Sequence, residues 1–208
     1  MAKRVENIGT YHLVNNPELY EPARTNNFEF EVVGLPEKLL YAGVLETDKV
    51  SDNKKYIKNA QETLRISVLS TSVPHFKLNT IEIKRGNNTM KVAGVPEFGS
   101  GTLVCNDYIG ARTKDILEAW KALAYDVRTQ LIQKMSNYKM EAYLTEYTPD
   151  YQVVRRWHMY GCWCSDVTEG EFNNESNDKR TCQAEIQYDY AIPELPDEMP
   201  DMEKPEGR

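Results

Sequence analysis

Residues 62–120 read ETLRISVLSTSVPHFKLNTIEIKRGNNTMKVAGVPEFGSGTLVCNDYIGARTKDILEAW. Apolar and polar residues alternate in four short segments of this stretch. The alternating apolar residues are Leu64, Ile66 and Val68, then Ile81 and Ile83, then Met90 and Val92, and finally Leu103 and Cys105. Successive side chains of a strand point to opposite faces, so this period predicts four strands with one buried face each. Gly86, Asn87 and Asn88 predict a tight turn between the second and third strands, because Gly and Asn tolerate positive φ.

A helix is predicted after these strands, over about residues 113–131. Thr113 is a favourable N-cap, and Asp115 is well placed in the first turn. Apolar residues then recur at spacings of three and four, at Ile116, Trp120, Leu123, Val127 and Leu131. We interpret this stripe as the face that packs on the sheet; a cofactor pocket is the weaker alternative.

Further alternating segments predict strands over 27–33, 138–147, 153–160 and 182–188, with residues 161–164 closing the third. The fold class is therefore mainly β, an antiparallel two-sheet β-sandwich or small barrel with one flanking α-helix. We divide the chain into an irregular N-terminal arm (1–25), one β-domain (26–191) and a tail (192–208). The tail is rich in proline and carboxylates and cannot bury enough apolar area to order itself, which predicts disorder.

The charge of the chain argues against tight nucleic-acid binding. With 208 residues and a net charge of −7, the chain has no excess of cations to release counterions from phosphates. No apolar run reaches the roughly 18 residues of a membrane-spanning helix. The opening residues, Met1–Arg4, are followed by polar residues rather than by the apolar core of a secretory signal, so we expect a cytoplasmic setting.

The four cysteines are Cys105, Cys162, Cys164 and Cys182. A zinc site needs a second pair with matching spacing, which this set does not supply, so we favour structural thiols. The sequence also contains no glycine-rich phosphate loop, no GxSxG and no HExxH. The three histidines, His12, His75 and His158, are not clustered as a ligand set would be. We therefore predict a protein that is not an enzyme and that holds no cofactor or metal.

The order of these segments resembles the tail tube proteins of contractile-tailed bacteriophages, especially the T4-like kind. The resemblance covers residues 26–191 and rests on an ordered set rather than on one specific motif. The matching segments are 27–32, 64–74, 81–83, 91–94, 102–107, 116–120, 138–139, 153–163 and 184–190. Two features depart from the family pattern: Cys164 stands where proline is frequent, and the tail has no counterpart.

The resemblance implies a structural protein of the virion tail, assembled in the host cytoplasm. Six copies would form a ring, one sheet of each copy would join a continuous barrel, and stacked rings would form the inner tube. The implied partners are further copies of the chain, the tail sheath protein and baseplate proteins. The tape measure protein and double-stranded DNA would pass through the lumen without specific binding. The alternatives are the tube of a related machine, such as a phage-like bacteriocin or a secretion system, a baseplate protein, or a monomeric metal- or ligand-binding β-domain using Cys162, Cys164 and Cys182.

The alternation divides the strands into two sets of residues. The apolar set named above, together with Trp120 and Trp157, is predicted to form the core. The candidate lumen or interface residues are Arg65, Ser67, Glu82, Lys84, Lys91, Thr102 and Asn106. A shift of one residue would exchange the two faces, and solvent exposure of the polar set in a monomer is the simpler alternative.

Overall fold

The structure, a computed structural model, describes residues 22–41, 59–170, 175 and 178–196. Most of the predicted N-terminal arm and tail therefore lies outside the described residues. The strands are β1 Phe28–Val32, β2 Val68–Thr71, β3 Phe76–Arg85, β4 Asn88–Phe98, β5 Gly101–Asn106, β6 Tyr125–Asp126, β7 Leu131–Ile132, β8 Met140–Tyr147, β9 Val153–Glu169, β10 Thr181–Gln187 and β11 Tyr190–Glu194. The helices are α1 Leu35–Tyr41, α2 Ala60–Ser67, α3 Thr113–Ala122 and α4 Met135–Tyr138. None of the described helices is long and apolar enough to cross a membrane.

One long strand connects the two halves of the main sheet. The strands pair antiparallel in the order β1-β8-β9-β10-β5-β2, and β11 also pairs with β9. The first part of β9 pairs with β8 and β11, and its last part pairs with β10. Gly161 lies between the two parts with φ +67°, a conformation that favours glycine. This curled antiparallel sheet with flanking helices confirms the predicted fold class.

The core lies between the two halves of the sheet and the helices. Trp120 of α3 is fully buried, together with Phe30 of β1, Leu64 of α2 and Leu103 of β5. The inward positions of β5 and β10 alternate with outward ones, as period two requires. Val68 and Trp157 are partly buried and pack against this core.

The first of the four strands predicted within residues 62–120 is wrong in its first half. Residues 60–67 form α2, which buries Ala60, Leu64 and Ser67 at helical spacing. The segment is rich in good helix formers. Ala60 and Leu64 have the spacing of a helix, whereas Leu64 and Ile66 have that of a strand, so a run this short does not distinguish the two. Ile66 therefore points away from the core and is 65% exposed, contrary to the prediction.

The predicted helix is too long, because α3 ends at Ala122. The chain then turns into the short β6–β7 hairpin. Oδ1 of Asp126 accepts the Arg128 amide at 2.9 Å, and its Oδ2 accepts the Thr129 hydroxyl at 2.8 Å. Such local bonds offer the backbone an alternative to helix. Val127 and Leu131, predicted on the helix stripe, are exposed as a result.

The sheet also extends further towards the C terminus than predicted. β11 continues to Glu194 and pairs with β9, so residues 192–194 belong to the sheet rather than to the tail. The remaining described residues of the tail, 195 and 196, follow this strand.

Candidate assembly surface

The hairpin β3–β4 extends beyond the body of the domain. It forms a separate two-stranded sheet between β2 and β5 along the chain, and its two strands pack chiefly on each other. The turn at Gly86, with φ +60°, is the tight hairpin that the sequence predicted. All ten residues of β3 are exposed, so neither face of this strand is covered by the described residues.

One face of the hairpin is apolar. Ile81 lies opposite Val92, and Ile83 lies opposite Met90, so these four side chains share a face. Ile81 is 53% exposed and Met90 is 50% exposed. The prediction that Ile81, Ile83 and Met90 line the core is therefore wrong for the single chain, and Val92 is only partly buried. A two-stranded hairpin of this kind is marginally stable alone in water, so covering this face would stabilise it.

The other face of the hairpin is polar. It carries Glu82, Lys84 and Lys91, three of the candidate lumen or interface residues. Glu82 lies opposite Lys91, and their charged groups are 3.6 Å apart. Both side chains are more than half exposed, so the pair contributes little to stability.

The base of the hairpin is fixed to the body by aromatic contacts. The rings of Phe76 and Phe98 lie 5.4 Å apart, and Phe98 meets the ring of Tyr188 edge-on at 6.2 Å. The Tyr188 hydroxyl accepts the amide of His75 at 3.2 Å and donates to the carbonyl of His75 at 3.3 Å. Burial raises the pKa of this hydroxyl. The hairpin therefore leaves the body in a fixed direction.

The other candidate lumen or interface residues do not join this hairpin surface. Arg65 is exposed on α2 and forms an ion pair with Glu29. Ser67 is fully buried, which contradicts its assignment to a lumen or an interface. Thr102 and Asn106 lie on the outward face of β5, where the Thr102 amide donates to the Ser72 hydroxyl at 2.8 Å.

The outward face of β8, β9 and β11 carries a network that the sequence did not predict. His158 faces two carboxylates: its Nε2 is 2.9 Å from Oε2 of Glu141, and its Nδ1 is 3.3 Å from Oε1 of Glu194. Its ring stacks on Tyr160 at 3.9 Å, and Tyr160 stacks on Tyr190 at 4.6 Å. Arg156 Nη2 also donates to Glu194 Oε2 at 2.9 Å. These groups hold the edge strand β11 on the sheet.

The four cysteines are free and buried. Burial raises the pKa of Cys105, Cys162 and Cys164 to about 12 and that of Cys182 to about 11. Thiols of this kind are poor nucleophiles and poor metal ligands. Within the described ranges, no group of three or more His, Cys, Asp or Glu side chains is placed to hold a metal ion.

Comparisons with known proteins find similarity in fold. No family model matches the chain, and no curated protein matches it in sequence. The fold is similar to a chain of the PVC sheath–tube complex, an extracellular contractile injection system in its extended state. That match has a TM-score of 0.58 and 14% identity, and covers 87% of this chain and 97% of the other.

Two further similar structures come from the anti-feeding prophage. A chain of its cap, the tube-terminating cap, matches with a TM-score of 0.57 and 15% identity over 84% of this chain and 91% of the other. A chain of its baseplate matches with a TM-score of 0.55 and 12% identity over 84% and 96%. At these identities the similarity establishes the fold, which the chain shares with components of injection assemblies.

Proposed function

We infer that this chain is a structural subunit of the inner tube of a contractile injection machine. The observation that carries the proposal is the β3–β4 hairpin, whose apolar face has no cover in the described part of the chain. An exposed apolar face on paired strands is a site of association. Further copies of the same chain are the natural cover, because most soluble oligomers are built from identical subunits.

The proposed assembly is a ring of six copies, and the rings stack into a tube with a continuous lumen. The fold similarity supports this, since the similar chains come from a sheath–tube complex, a tube-terminating cap and a baseplate. The proposed partners are a sheath protein outside the tube and baseplate proteins at its end. No enzymatic activity is part of the proposal.

Two versions of the machine fit this proposal about equally. In a phage tail, the tube would belong to the virion and conduct double-stranded DNA after the tape measure protein has left. In a related injection machine, the tube would deliver other cargo. The similar solved structures support this version and the phage version about equally. Immunogold labelling of purified particles would separate the two, because only the phage version places the chain on a particle with a DNA-filled capsid.

Electron microscopy of the concentrated protein tests the function itself. For the unmodified chain we expect rings of six subunits and tubes of stacked rings. Ile83→Gln, on the apolar face of the hairpin, should abolish the tubes. Thr80→Gln, on the polar face opposite Ala93 and away from the tip, is the matched control and should leave them intact. A chain that remains monomeric at high concentration and on a baseplate template would overturn the proposal.

A further inference from the structure

A cleft of about 500 Å³ lies on the body between β1, α1 and α2. The described residues that line it are Glu31, Pro36, Glu37, Asn59, Gln61, Glu62 and Arg65. Residues of the β3–β4 hairpin are absent from this lining, so the hairpin of the same chain does not fill the cleft.

Among the described residues that line it, the cleft has three carboxylates, Glu31, Glu37 and Glu62, and one cation, Arg65. Arg65 forms its ion pair with Glu29, and the neutral Gln61 donates a hydrogen bond to Glu31. Glu37 and Glu62 form no ion pair with the described residues. Carboxylates in the first turn of a helix also stabilise that helix, so the charge alone assigns no role to the cleft.

The tip of the hairpin has the complementary charge. Residues 76–98 carry four cations, Lys77, Lys84, Arg85 and Lys91, and two carboxylates, Glu82 and Glu97. Four minus two leaves this segment at +2, in a chain whose net charge is −7. Lys91 is near Glu82, but Lys84 and Arg85 are paired with none of the described carboxylates.

The apolar residues of the two surfaces also match. Ile83 and Met90 lie directly beside the tip of the hairpin and are exposed. On the body, Ile66 follows Glu62 by one helical turn on the same face of α2 and is 65% exposed. β3 has ten residues and so spans about 33 Å, enough to reach a neighbouring body.

We propose that the tip of the β3–β4 hairpin of one copy docks into this acidic cleft on a second copy. Lys84 and Arg85 face Glu37 and Glu62, while Ile83 and Met90 cover Ile66. The contact is heterologous, because two different surfaces meet, and such contacts generate rings or stacked filaments. This inference rests on the proposed tube and specifies one of its subunit contacts.

Charge reversal with rescue tests the contact. Lys84→Glu with Arg85→Glu, and separately Glu37→Lys with Glu62→Lys, should each raise the protein concentration needed for assembly at least about tenfold. The chain that carries all four substitutions should assemble near the original concentration, because the charges are again complementary. Lys77→Glu, at the base of the hairpin, is the control and should have little effect.

A cross-link gives a second measurement that is independent of charge. Arg85→Cys with Glu62→Cys should form an intermolecular disulfide on mild oxidation, and the four buried native thiols do not compete. If the unmodified chain forms tubes while both reversed variants assemble equally well and no cross-link forms, the docking is overturned and the tube remains. If the unmodified chain forms no rings at all, the proposed function fails with it.

Discussion

Ser67 of α2 and Thr113 of α3 share a hydrogen bond of 3.1 Å between their hydroxyl oxygens, and both residues are fully buried. The Ser67 hydroxyl also donates to the carbonyl of Thr63 at 2.6 Å. Thr113 is therefore the donor in the shared bond. This contact fixes the two helices against each other beneath the sheet.

We predict that Ser67→Ala destabilises the domain by about 1–3 kcal/mol, because it leaves the Thr113 hydroxyl buried without an acceptor. Adding Thr113→Val should recover part of the loss, since it removes the orphaned hydroxyl. Urea unfolding of the two single variants and the double variant measures this coupling. Strictly additive losses would show that the two hydroxyls do not interact.

The buried thiols predict a loss of stability at high pH. In the unfolded chain a cysteine ionises near pH 8.5, whereas in the folded chain Cys105 stays neutral up to about pH 12. The stabilisation is therefore complete below about pH 8.5 and is lost as the pH rises towards 12, by about 1.4 kcal/mol per pH unit for each thiol. Unfolding free energies at pH 8 and pH 10 should show a smaller difference for Cys105→Ala than for the unmodified chain. An equal difference in both proteins would contradict the assignment.

The same burial predicts slow alkylation. At pH 8 iodoacetamide should label none of the four cysteines of the native protein, and it should label all four after unfolding, as counted by mass spectrometry. Rapid labelling of Cys162 or Cys164 in the native protein would show that β9 opens locally.

We predict that a methyl group added at Gly161 lowers the stability of the fold. It has φ +67°, and an added Cβ would lie 2.7 Å from Cγ of Asp189. Gly34, with φ +73° and its nearest atom at 3.9 Å, is the matched control. We expect Gly34→Ala to cost about 1–2 kcal/mol from the backbone alone, and Gly161→Ala to cost about 1 kcal/mol more. Asp189→Ala should remove the difference between the two; a difference that persisted would place the extra cost elsewhere.

We predict that the hydrogen bonds of Tyr188 at the base of the hairpin stabilise the hairpin. Tyr188→Phe keeps the ring contact with Phe98 but removes both hydrogen bonds to His75. The free energy of unfolding of the body should fall by about 1 kcal/mol. The amides of β3 and β4 should exchange with solvent faster than in the unmodified chain, and those of β8 should change less. Unchanged exchange in β3 and β4 would mean that the aromatic contacts alone fix the hairpin.

Several strands could be predicted from the sequence because their apolar and polar residues alternate with a period of two and fit no helical spacing. β1, β5 and β8 alternate cleanly, and Gly86 marks its turn. α2 was missed because Leu64, Ile66 and Val68 alternate as in a strand, whereas the buried face of the helix uses Ala60, Leu64 and Ser67, which do not form an apolar stripe. The end of α3 was missed because the turn depends on the side chain of Asp126.

The candidate assembly surface was harder to predict for a different reason. Alternation shows that Ile81 and Ile83 share a face, but it does not show whether the same chain or another one covers that face. The network around His158 was missed because Glu141, His158 and Glu194 come together only once the strand register is known.

β9 determines how the domain responds to force. Its 17 residues form one continuous strand that belongs to both halves of the sheet. A load applied along this strand acts on the rows of hydrogen bonds to β8, β10 and β11 in shear, so that many bonds must break together. The domain should therefore transmit such a load as one stiff element, and yield first where the strand bends at Gly161.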